Sequence, residues 1–223
     1  MVVNFPVLII GLLLLWFPRQ WLRLGKVIGH RKKHRTGGDE PWKTREPGDP
    51  RLSFREFGKM RNYVDLLRGA VGSVAILGGS TIEAGLHVGP LSDRTDARIV
   101  LVIQLAILLI GVLIQMTRYE RKHLSFYAPV FYIAGLSLAL CGPWGALFAF
   151  TMVWAFSPLF GNGEVFLLIY AIMLVVFGKF LHETTVALPI AAGVFCFLPA
   201  LLSLLMRKPL VVFTRKASSG AGG

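Results

Sequence analysis

Acidic residues are scarce in this chain of 223 residues: 12 Asp and Glu stand against 24 Lys and Arg, a formal charge of +12. Charge of either sign is sparse, at 16% of residues against roughly 25% in an ordinary soluble domain. There are only two cysteines, Cys141 and Cys196, too few for a secreted disulfide scaffold. Gly25-Lys26, Gly58-Lys59 and Gly178-Lys179 each lack the earlier glycine of a GxxxxGK phosphate loop. GxGxxG and GxSxG are absent. So are paired CxxC motifs and the haem-attachment CxxCH. What the chain has in excess is apolar surface: 54% of residues are hydrophobic and the mean hydropathy is +0.62. One soluble core could not hide that much, so lipid is the expected solvent. This excludes an ordinary soluble enzyme and a disordered chain.

The positive charge is concentrated. Residues 18–64 hold thirteen Lys and Arg among five acids. A basic stretch beside apolar spans is a positive-inside signal, not a nucleic-acid face. Arg31, Lys32, Lys33 and Arg35, with Arg118, Arg121 and Lys122 further on, are therefore expected to touch anionic lipid headgroups. His30 and His34 lie four apart, but the surrounding cations would repel a metal ion. Cys141 and Cys196 lack a neighbouring His or Cys at ligand spacing, so both read as buried small hydrophobes. No metal, no cofactor and no nucleic acid is expected.

Residues 3–17 form a first apolar span ended by Pro18. No basic residue precedes it and no A-x-A site follows, so it reads as an anchor with the N-terminus outside rather than a cleaved signal. Residues 18–65 form a basic cytoplasmic loop. Within it, Ser53 and Glu56 have capping-box spacing. Phe57, Met60, Val64, Leu67 and Val71 then recur at helical spacing, with Arg55, Lys59, Asn62 and Asp65 elsewhere on the wheel. This predicts an amphipathic helix over 53–65 lying on the membrane surface. Residues 66–206 form the transmembrane bundle. Its spans are expected at 66–89, at 99–116, twice within 124–160, at 165–180 and at 184–206. The 124–160 stretch is about 55 Å long as a helix, too long for one 30 Å hydrocarbon core. Cys141-Gly142-Pro143-Trp144-Gly145 supplies a turn in its middle; one tilted helix kinked at Pro143 is the rival. Residues 207–223 form a basic flexible tail.

The expected fold is thus an all-α integral membrane protein, a polytopic helix bundle of seven spans, with six as the alternative. Seven spans put twenty Lys and Arg inside and three outside; six put seventeen inside and six outside. The positive-inside rule favours seven. The expected location is a bacterial inner membrane.

Glu83 and His87 are four apart, hence on one helix face, and a carboxylate in a span suggests function. With Gln104 they could form a proton or ion site; the plainer reading places them in the headgroup zone. Gln104 and Gln115, eleven apart, project to nearly one side and suit hydrogen bonds to another helix. Lys179, His182 and Glu183 form a possible outer-face cluster with Glu83 and His87 if there are seven spans. Asp65 and Arg68 suit a local i,i+3 ion pair. Gly69, Gly72, Ser73, Gly78 and Gly79 are expected to let a neighbouring helix approach closely. Three functions are open. The first is an accessory or assembly subunit packed against other membrane proteins, without catalysis of its own. The second is a small transporter or channel component using Glu83 and His87. The third is an enzyme acting on a lipid-linked substrate held by basic residues.

Overall fold

A computed structural model describes residues 4–18, 60–79, 91–120, 123–160, 163–181, 186–206 and 210–211. Among the described residues there are seven α-helices: α1 (Phe5–Trp16), α2 (Met60–Gly79), α3 (Leu91–Met116), α4 (Val130–Leu140), α5 (Gly142–Phe156), α6 (Gly163–Leu181) and α7 (Ala187–Met206). A small sheet joins them, made of β1 (Thr117–Glu120), β2 (His123–Tyr127) and β3 (Leu210–Val211). Three helices are long and apolar enough to cross a membrane: α3 over Arg98–Met116, α6, and α7. Most of each of α3 and α6 faces outward, and the outward residues are apolar, including Ile99, Val102, Ile103, Val165, Leu168 and Ile172. Helices apolar on both their inner and outer sides belong in lipid.

Successive helices run in opposite directions where contacts define them. Gly11 of α1 faces Ala75 and Ile76 of α2, while Gly72 faces Leu15. Phe131, early in α4, makes edge contacts with Phe150 and Trp154, late in α5. Gly145 of α5 lies against Phe177 and Gly178 of α6, and Gly178 touches Pro189 of α7. Residues 130–156 therefore form a helical hairpin, not one kinked helix. The reversal has a local cause. The Cys141 N–H closes the last turn of α4 on Ser137 O, and Gly142 then adopts φ 73°. That left-handed conformation suits glycine. Pro143 follows in the first turn of α5, where its missing N–H costs nothing.

The hairpin differs from the two equal spans expected within 124–160. Residues 123–127 are a strand, and α4 has 11 residues, about 17 Å. That is too short to cross. Nine of its eleven residues are buried, so α4 is a central rod enclosed by α2, α5 and α7. In the sheet, β2 pairs antiparallel with β1 (Thr117 opposite Phe126, Glu120 opposite His123) and parallel with β3 (Phe126 opposite Leu210). No strand was expected from the sequence. The first apolar segment is also shorter than expected: α1 has 12 residues, about 18 Å.

The second departure concerns α2. The surface helix expected over 53–65 is described only from Met60, and there it is the first part of one unbroken helix to Gly79. Its polar side faces the rest of the bundle and not water. Asn62, Asp65, Arg68 and Ser73 are buried in the protein, while Met60, Val64, Leu67, Val71 and Val74 are exposed. The apolar stripe at helical spacing faces out, because the medium outside is not water.

Candidate functional site

Among the described residues, a dense polar cluster lies where α1 ends. The last carbonyls of any helix lack intrahelical partners and carry the negative end of the helix dipole. Here three helices supply donors to them. From α2, Arg68 Nε donates to Leu14 O at 3.1 Å, and Arg68 Nη2 donates to Phe17 O. From α3, Gln115 Nε2 donates to Leu15 O at 3.1 Å and to Phe17 O at 2.9 Å. From α4, the Tyr132 hydroxyl donates to Leu15 O at 3.3 Å. Gly111 of α3 makes room for that hydroxyl, since a Cβ there would lie 2.7 Å from it. Trp16 adds a bond from α1 back to α3, Nε1 to Ile107 O at 3.1 Å.

Arg68 is buried with a counter-charge: Nη1 lies 3.6 Å from Asp65 Oδ1, one helical turn away. A lone buried cation is costly; a partner carboxylate and two carbonyl acceptors offset that cost. The i,i+3 pair suggested by the sequence is present, but inside the bundle rather than at its rim. The polar side chains of α2 thus point inward because their partners are there.

Gln104 serves α3 and α2 in the same manner, donating to Ile76 O at 3.0 Å and Leu77 O at 3.4 Å. Ser73 and Ser137 donate to carbonyls three residues back in their own helices, Ala70 O and Ala134 O. Both thiols are buried against α6: Cys141 Sγ lies 3.6 Å from Leu174 O, and Cys196 Sγ 3.6 Å from Leu167 O. Among the described residues, no group of three or more His, Cys, Asp or Glu could hold a metal ion.

The small residues of α2 divide. A Cβ on Gly69 would overlap Tyr132 O and lie 3.1 Å from Leu136 N; one on Gly72 would lie 2.7 Å from Leu15 Cδ2. Both are close-approach points. Among the described residues, Gly78 has no atom within 4 Å of such a Cβ. Gly79 is the last residue of α2.

Lys179 is exposed in the last turn of α6, and the backbone of Arg118 pairs with Ser125 in the sheet. Glu83, His87, His182, Glu183, Arg31, Lys32, Lys33, Arg35, Arg121 and Lys122 lie outside the described residues. The convergence imagined for Glu83, His87 and the 179–183 cluster therefore falls there too.

Tyr132 and Gly135 were not singled out from the sequence. Tyr132 sits in the apolar run Val130–Leu140 with no polar pattern around it, and a single glycine in such a run gives no direction. Arg68 carried a usable signal, as a cation within a predicted span.

Comparison with protein-family models, curated proteins and solved structures finds no match for this chain. Its class rests on its own helices. It is a helical membrane protein, with three helices able to cross the bilayer.

Proposed function

We propose that this chain is a polytopic inner-membrane protein of bacterial type without catalytic activity of its own, and that it serves as an accessory or assembly subunit of a membrane complex. One observation carries the reading. Arg68, Gln104, Gln115, Tyr132, Ser73 and Ser137 each donate to backbone carbonyls of this bundle, and Arg68 also faces Asp65. Polar groups spent this way fix helices against each other. They are not free to line an ion path or activate a nucleophile. Gln104 in particular, a natural lining residue for a transport route beside Glu83 and His87, is bonded to α2.

The alternation of helix directions supports seven membrane segments, with α1, α2, α4 and α5 contributing as shorter or more polar members. In that arrangement the basic residues 18–64, 118–122 and 207–216 share the cytoplasmic face and meet anionic headgroups. The N-terminus is outside. The outward row Met60, Val64, Leu67, Val71 and Val74, ending at open Gly78, gives a partner helix a face that it can approach closely.

The test is gentle purification from native membranes in mild detergent. A stoichiometric complex whose assembly is lost on Gly78→Leu, with the chain itself still folded, is the expected result. A monomeric, partner-free chain sinks the proposal.

A further inference from the structure

We propose that Arg68, Gln115 and Tyr132 form a receptor for the C-terminal end of a membrane helix, and that α1 is held in it as a non-covalent ligand. The cluster has the properties of a binding site rather than of ordinary helix packing. Its donors come from three different helices, α2, α3 and α4, and converge on the end of one element, the carbonyls of Leu14 and Leu15 in the last turn of α1 and of its cap residue Phe17. Each donor lies at least 51 positions along the chain from its acceptor. Local sequence therefore does not build the contact.

The chemistry selects its ligand. A guanidinium faces the negative end of a helix dipole. The amide of Gln115 bridges two carbonyls at the end of α1, 3.1 and 2.9 Å away, where a helix has run out of its own donors. Any other stretch of helix would present carbonyls already bonded. Depth is fixed as well. Leu15 is fully buried over Gly72, and Gly11 rests on Ala75, where a Cβ would lie at 3.0 Å. Sliding α1 by one turn would break the polar and the apolar contacts together. These contacts, and not the covalent connection between α1 and the rest of the bundle, are then what holds α1 in place. The inference does not depend on whether the bundle has partner proteins.

The test uses the full chain with a protease site inserted between Gly37 and Gly38, cut after purification in mild detergent. Fragment 1–37 should stay with fragment 38–223 on size exclusion. Gln115→Leu removes two hydrogen bonds and Tyr132→Phe removes one. At about threefold for each interhelical hydrogen bond, the released fraction should rise about tenfold and about threefold. Ser73→Ala, which deletes a buried bond within α2 alone, should release no more than the parent. Thermal unfolding of the uncut variants checks that each is folded; if Gln115→Leu is not, Tyr132→Phe decides alone. Separation of the parent fragments on cutting overturns the proposal. So does parent-like retention in the folded variants.

Discussion

Replacing Gly135 by alanine tests the centre of the fold. Gly135 of α4 and Gly69 of α2 meet where the two helices cross. A Cβ on Gly135 would overlap Leu66 O and stand 2.8 Å from Ala70 N and 3.0 Å from Gly69 Cα. Non-bonded carbon contacts settle at about 3.5–4.0 Å, so the backbones must part by roughly 1 Å. All three nearest atoms are backbone, and no side chain can rotate away. Nor can α4 retreat, since α5 and α7 pack against it as well. Overpacking costs about 1–3 kcal/mol and more where relief is blocked, so about 3 kcal/mol is expected. For a chain of this size that lowers Tm by about 6–12 °C. Thermal unfolding in detergent, followed by tryptophan fluorescence, reads it. Gly78→Ala is the control: its Cβ meets nothing within 4 Å, and a helix gains about 0.5–1 kcal/mol from the exchange. If Gly135→Ala melts within about 2 °C of Gly78→Ala, the close crossing is wrong.

Arg68→Leu takes the guanidinium away from the buried Asp65 carboxylate and should cost about 3–5 kcal/mol. Adding Asp65→Leu should recover part of that loss. A double variant no more stable than Arg68→Leu, in the same melting assay, would refute the pairing. Cys141 and Cys196 are both fully buried. Maleimide should leave them unmodified in mild detergent over a period that labels the SDS-denatured chain completely, and native labelling of either thiol contradicts the packing of α4 and α7 on α6.

Helix class and the three crossing segments were legible because long apolar runs have few alternatives. The hairpin was legible too, since Gly142 and Pro143 end one helix and begin another by backbone geometry alone. The extent of α2 was not. A surface helix over 53–65 and a separate span from 66 were expected, and the spacing of Met60, Val64, Leu67, Val71 and Val74 is the same for a helix lying on lipid and for one continuing through it. Asp65 and Arg68 read as a local pair at the start of that span, and nothing in the sequence placed them inside the bundle. The glutamine donors of α3 were legible in kind but not in target. Gln104 and Gln115 read as residues that bond another helix, yet nothing in the sequence indicates that one reaches α2 and the other α1. Tyr132 was lost among apolar neighbours because its one polar atom does not disturb their pattern.

The sheet follows from the shortness of α4. A helix of 11 residues leaves the rest of its segment non-helical, with Phe126 and Ala128 already buried. Backbone amides and carbonyls in an apolar interior need partners from the protein. Strand β2 obtains them on both edges, from β1 on one side and β3 on the other. These two strands are not arbitrary. β1 follows directly on α3, and β3 comes shortly after α7. Satisfying the backbone of β2 therefore ties the ends of two long helices to the start of the central short one. The same end of the bundle receives the C-terminus of α1 through Gln115 and Tyr132. The three-stranded sheet beside the short central helix and the clamp on α1 thus answer one need at one end of the bundle, partners for backbone groups that no helix pairs.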